Sequence, residues 1–154
     1  MEKSESKAKG KEQPKSVAIS RRSITLDAPI VTSEIVDGCL YTGLFGLLDS
    51  LRFKKVSDEI LRIAEMRDYE SIIIDLSNID IIDSTIANQF KKLNRLLQLI
   101  GLDVVFCGLK PIVAKSMISA GIELNTITVK KNLKTALKTV LNDQGLAILP
   151  KNSD

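Results

Sequence analysis

The chain reads as an open α/β domain, with helices packed over a mixed sheet of about five strands. Three observations lead there. Two strand-like segments meet at Asp37-Gly38, short apolar runs recur at 72–74 and 102–108, and amphipathic helical patterns are interleaved between them. No internal repeat is visible.

Taken in order, IVTSEIV (30–36) and CLYTGLF (39–45) flank Asp37-Gly38, a pair suited to the two positive backbone angles of a type I′ hairpin turn. That turn sets Val36 opposite Cys39, Ile35 opposite Leu40 and Val31 opposite Leu44, with Glu34 and Tyr41 across from one another on the other face. From 48 to 67, Phe53, Val56, Ile60 and Ile63 recur at helical spacing; Asp49 or Ser50 caps the start and Tyr69 marks the exit. Ile72-Ile73-Ile74 reads as a central strand covered on both faces and ending at Asp75. Ile86, Phe90, Leu93, Leu97 and Ile100 then form a second amphipathic helix, stopped by Gly101. Residues 102–108 give another buried strand. Pro111 suits the first turn of a third helix that turns Val113, Ala114, Met117 and Ile118 inward until Gly121. A short strand, TITV (126–129), precedes a final helix capped by Asn132, with Leu133, Ala136, Leu137, Val140 and Leu141 on its apolar face. The closing LAILPKNSD holds a small apolar cluster expected to dock on the body.

At 154 residues the chain suits one domain plus a tail. It has no histidine and no tryptophan. The missing histidine removes Ser-His-Asp and Cys-His mechanisms and every histidine metal site. Cys39 and Cys107 have no CxxC spacing and sit in apolar segments, which suits two small buried thiols in a reducing compartment. No apolar run approaches the roughly 20 residues that span a bilayer. The N-terminus carries charges where a signal peptide needs an apolar stretch, so a cytoplasmic protein with no membrane contact is expected.

The net charge of +3 is unevenly divided. Residues 1–25 hold seven Lys or Arg and three Glu, leaving 15 bases and 16 acids for the rest. This basic leader has little apolar content and is expected to be disordered. Nucleic-acid binding through its charge is the alternative to a solvated leader; the lack of aromatics and of an amphipathic repeat favours the solvated one. The folded domain is expected over 26–145, with 146–154 as a tail.

Two constellations carry chemistry. Asp75, Asp80 and Asp83 follow a buried strand, where open α/β sheets place their sites. They suit either a Mg²⁺ or phosphoacceptor centre, or a loop whose Asp80 and Asp83 shape and cap the next helix. Ser84, between Asp83 and Thr85, sits where loop becomes helix. There, unpaired N–H groups and the helix dipole tolerate an anion. A phosphate would add roughly −1.5 to −2 charges beside the aspartates, and the alternative is a serine that only starts a helix. Ser116, inside the third helix, reads from the residues alone as a small solvent-facing side chain.

The segments DLSNIDIIDSTIANQF (75–90) and GLDVVFCGLKPIVAKSMISAGIEL (101–124) resemble the STAS domains of anti-sigma factor antagonists, in particular the S-type scaffold subunits of the bacterial stressosome. The likeness rests on Asp-Ser followed by Thr-Ile-Ala at the helix start and on Gly-Leu-Lys-Pro-x-Val-Ala. It covers the folded part from about residue 29 to 141 and leaves out the leader. The resemblance implies the STAS fold and a phosphorylated serine at Ser84. It puts a second regulated hydroxyl, known in R-type subunits, at Ser116 and none at Thr85. It implies a non-enzymatic scaffold without cofactor or metal that associates with R-type subunits and itself in a large assembly. Such a scaffold holds a switch serine/threonine kinase, through a surface around Asp75, Asp80, Asp83 and Lys110, until Ser84 is phosphorylated; a serine phosphatase reverses this. The alternatives are a free anti-anti-sigma factor that binds an anti-sigma kinase, and a small Mg²⁺-dependent phosphoacceptor or enzyme centred on Asp75.

Overall fold

The computed structural model describes residues 23–25, 28–147 and 149–151; residues 1–22, most of the expected leader, lie outside them. The elements are β1 (Ser23–Thr25), β2 (Ile30–Val36), β3 (Cys39–Phe45), α1 (Ser50–Met66), β4 (Ser71–Asn78), α2 (Ser84–Leu99), β5 (Asp103–Cys107), α3 (Pro111–Ser119), β6 (Thr128–Lys130) and α4 (Leu133–Asp143). The strands form one sheet of six in chain order. β1, β2 and β3 pair antiparallel, and β3 through β6 pair parallel. The mixed α/β sheet is the one the sequence predicts, with one strand added. β1 falls within the residues assigned to the leader, its Ser23 pairing with Thr32.

Each parallel step from β3 to β6 moves the same way across the sheet, and right-handed crossovers therefore put α1, α2 and α3 on one face. Leu40, Leu44, Ile72, Ile74 and Phe106 meet Phe53, Ile60, Ile86, Phe90 and Met117 there. Phe90 lies edge-on to Phe53, with centroids 4.6 Å apart, and to Phe106 at 6.1 Å. On the other face α4 lays Ala136 and Val140 over Cys39, Ile73, Val105 and Cys107. Side chains alternate along a strand, so Ile72-Ile73-Ile74 serves both cores, as its unbroken apolar run requires.

Helix starts follow the predicted chemistry. Asp49, Asp83 and Asn132 each accept a backbone N–H from the third residue onward, and Pro111 opens α3. The hairpin register differs from expectation. Glu34 pairs with Leu40, Ser33 with Tyr41 and Val31 with Gly43, because the ladder shifts between Glu34 and Val36 and leaves Ile35 as the extra residue of a bulge. Gly38 alone takes a positive φ, 73°, so the turn is not type I′. The slip puts Ile30, Thr32, Leu40 and Leu44 on the inner face in place of Val31 and Ile35.

Other boundaries move for local reasons. β4 runs past Asp75 to Asn78, and its end pairs with Phe45 of β3. In α3, Val113 and Met117 face inward while Ile118 turns out and is 54 % exposed, being one position round the helix from that stripe. Thr126 turns back on the Glu123 carbonyl through both its N–H and its hydroxyl, which closes a 3-10 turn over Leu124–Thr126 and delays β6 to Thr128. Leu146 and Leu149 are exposed, so these two do not dock as expected.

Candidate functional site

The C-terminal ends of the parallel strands carry the candidate site. Here β4 runs into the loop 79–83, and that loop runs into α2. The loop alternates between anchors and display. Ile79 and Ile82 are buried in the core, whereas Asp80, Ile81, Asp83, Ser84 and Thr85 are exposed. The two isoleucines tack the loop down, so the residues between them point to solvent from a fixed base.

Ser84 is the first residue of α2. Asp83 precedes it in extended backbone and accepts the Ile86 N–H at 2.8 Å, while the Asp83 carbonyl accepts from Ala87 at 3.0 Å. The N–H groups of Ser84 and Thr85 lie before the first intrahelical bond and have no acceptor in the helix. An exposed hydroxyl at the positive end of a 16-residue helix can carry a phosphate without burying its charge. Thr85, one position round the helix, is also exposed.

Asp80 forms an ion pair with Lys110, whose side chain crosses from the β5–α3 loop. Lys110 is the N-cap of α3, but it makes no side-chain capping bond and so is free to reach across. The pair joins two loops that are 30 residues apart in sequence. Asp80, Asp83, Ser84 and Lys110 therefore share one surface.

Asp75 does not reach that surface. It is 8 % exposed and points to the α4 side of the sheet, where its Oδ2 accepts the Tyr41 hydroxyl at 2.7 Å and its Oδ1 accepts the Ser77 N–H at 3.0 Å. Gly108 closes the arrangement with φ 72°; a Cβ there would stand 2.9 Å from both Asp75 Oδ1 and Ser77 Cβ. Burial, and then the neighbouring Asp75, raises the Tyr41 pKa. Burial also pushes the Cys107 thiol up to about 12, reinforced by the Asp75 charge and hydrogen bond. The expectation that Asp75 forms part of a kinase-facing surface is corrected: it braces the strand end from beneath. The three aspartates thus hold three different partners, and among the described residues no group of three acids, cysteines or histidines is arranged for a metal.

Ser116 also stands apart. It is half-buried, and its hydroxyl donates to the Ile112 carbonyl at 3.1 Å within α3. No hydrogen bond links it to the Ser84 loop. Sequence reasoning missed Tyr41, Ser77 and Gly108 as supports. Period-two alternation along β3 puts Tyr41 on the α4 side, and a glycine ending a buried strand is a signal for close backbone approach, but their meeting at Asp75 depends on the sheet register.

A cleft of about 520 Å³, lined by Glu34, Arg62, Arg67 and Tyr69 among others, lies at the opposite end of the sheet. Among the described residues no helix is long and apolar enough to cross a membrane.

The STAS domain pattern matches residues 31–136. The chain is 32 % identical over 114 residues to the RsbT co-antagonist protein RsbRB of Bacillus subtilis (strain 168), covering 74 % of this chain and 40 % of that protein. It thus spans about two fifths of the length of that relative. A serine-to-glutamate variant of RsbS from Moorella thermoacetica matches with TM-score 0.66 at 24 % identity, over 77 % of this chain and 98 % of that one. A chain from the structure described as the molecular architecture of the stressosome, a signal integration and transduction hub, matches with TM-score 0.65 at 25 % identity, over 75 % and 98 %. The pattern spans most of the folded part, including the β4–α2 loop and Ser84, and the chain belongs to the STAS-domain family.

Proposed function

We propose that the chain is a regulatory scaffold of a bacterial stress-signalling assembly, which retains a switch serine/threonine kinase and releases it once Ser84 is phosphorylated. The observation that carries this reading is the Ser84 hydroxyl, exposed on the first residue of α2 beside the Asp83 cap and the Asp80–Lys110 pair. A neutral hydroxyl leaves this surface a mixed-charge, partly apolar face, with Ile81 52 % exposed beside it. A phosphate adds roughly −1.5 to −2 charges next to two carboxylates, and like-charge repulsion turns away a partner fitted to the neutral form. Binding is the activity and phosphorylation the switch; no catalytic group is needed, and a serine phosphatase resets the surface. The likeness to the RsbT co-antagonist RsbRB and to stressosome chains supports co-assembly with R-type subunits in the cytoplasm.

A second reading is favoured by the identity to an R-type relative: regulation at Ser116 as well. The Ser116 hydroxyl is half-buried and engaged with Ile112, so Ser84 is the first site and Ser116 has to give up that bond. The test is phosphopeptide mass spectrometry after incubation with the cognate kinase, beside retention assays. Modification at Ser84, with Ser84→Ala retaining the kinase and Ser84→Asp losing it, is expected. Modification at Thr85 alone, or equal retention by both variants, overturns the reading.

A further inference from the structure

Charge is sorted along the strand axis of this domain. Each of the four helices begins at the C-terminal end of the parallel strands and finishes at their N-terminal end, so their dipoles add, positive at the Ser84 end and negative at the other. The Asp49 and Asp83 caps offset part of this at α1 and α2, but α3 and α4 begin without an acidic side chain at the cap or in the first turn, and none of the four has a basic residue in its last turn.

At the β5–β6 corner side chains extend the same polarity, whereas Asp49, Asp80 and Asp83 stand at that end nearer β3 and β4. Residues 110–140 hold six lysines against the single acid Glu123. Lys130 ends β6 opposite Cys107, the Lys131 carbonyl accepts the Gly108 N–H, and Lys134 sits in the first turn of α4, where the dipole disfavours a cation. At the other end Asp37, Asp68, Glu70, Asp103 and Asp143 converge. Glu70 N–H donates to the Gly38 carbonyl, Asp103 N–H to the Glu70 carbonyl, and Gln144, next to Asp143, donates to the Asp37 carbonyl. Asp143 closes α4, again the end the dipole disfavours for its charge. Among the described residues none of these eight side chains is in an ion pair, and Arg67 beside the acids is already taken by Glu34. Stability of the single domain gives no reason for this placement, whereas a neighbour does.

We infer that copies of this chain associate head to tail, the lysine corner at the end of β5 and β6 in one copy meeting the acidic base under β3, β4 and β5 of the next. The occupant is a second copy because the complementary surface is on the chain itself, at the opposite pole, and the described body is close to neutral once residues 1–25 are set aside. A contact between two different surfaces leaves one of each unfilled, so it extends into a ring or a filament instead of stopping at a pair. This deepens the self-assembly part of the proposed function and is independent of kinase release at Ser84.

The test is sedimentation velocity of the full chain from about 0.01 M to about 1 M NaCl, over which the screening length falls from about 30 Å to about 3 Å. The wild type is expected to associate in a concentration-dependent way at low salt and to dissociate at high salt. Lys130→Glu/Lys131→Glu and Glu70→Lys/Asp103→Lys should each weaken association about tenfold or more. An equal mixture of the two should restore it, because each variant presents the surface that the other now needs. Unchanged thermal melts of both variants, whose substituted residues are surface-facing, separate loss of contact from loss of fold. A monomeric wild type at every salt concentration, association that survives both reversals, or a mixture that stays monomeric overturns the inference. Co-assembly with R-type subunits and kinase release, read at Ser84, would stand untouched by any of these.

Discussion

Asp75 and Asp83 flank the same strand-to-helix passage and differ in nearly every physical respect. Asp75 is buried, bonded to Tyr41 across the sheet and to Ser77 along the chain, and roofed by Gly108. Asp83 is exposed, and its carboxylate accepts an N–H only three residues along the chain. One carboxylate fixes where β4 ends, and the other fixes where α2 begins. Between them the loop is held at both sides while its hydroxyl stays open to solvent. The switch proposed at Ser84 needs that separation, because a phosphate there would have to change a surface without disturbing the core beneath it.

The contrast can be broken most severely from the buried side. Gly108→Val adds a β-branched side chain at a positive φ and against Asp75 and Ser77, and should destabilise by about 2 to 4 kcal/mol in urea titration. Asp75→Asn keeps the shape but loses a charge-assisted hydrogen bond, for about 1 to 3 kcal/mol near neutral pH. It also changes the alkaline limb. Tyr41 and Cys107 both have raised pKa values in the fold, so their neutral forms stabilise it. The thiol's contribution is complete below its ordinary value of 9.0 and is lost as pH rises toward about 12. Burial is the largest single cause of each shift and Asp75 adds to both through its charge and hydrogen bond, so Asp75→Asn should make stability fall less steeply above pH 9.0. Stability at a series of alkaline pH values, with absorbance titration of the tyrosines, checks both statements.

Changes on the exposed side should be smaller. Asp83→Ala removes the α2 cap at a cost of about 1 kcal/mol. Lys110→Ala removes an exposed ion pair, and the melt should move by the equivalent of about 0.5 kcal/mol or less. If Lys110→Ala proved as damaging as Asp75→Asn, the division between a structural interior and a signalling surface would be wrong.

Much of the fold was legible because its signals are local. Caps at Asp49, Asp83 and Asn132, Pro111 at a helix start, Gly101 and Gly121 at helix ends, and the Ile72–Ile74 run all act within a few residues. The hairpin register was not, since β2 carries β-branched residues on both faces and nothing nearby announces a bulge at Ile35. Likewise Ser77-Asn78 resembles a turn and becomes strand only because β3 offers it a partner. At the candidate site the exposed parts, Ser84, Asp83 and Asp80, were found from sequence, while the roles of Asp75 and Lys110 depend on partners 34 and 30 residues away. Only the assembled sheet brings those partners within reach.

The central claim is that Ser84 switches a surface and leaves the fold in place. The direct measurement compares wild type, Ser84→Ala and Ser84→Asp for kinase retention and for thermal stability in the same preparations. The account predicts equal melts, retention by the wild type and Ser84→Ala, and loss of retention by Ser84→Asp. Retention of the kinase by Ser84→Asp, or its release only because that variant has unfolded, would contradict it.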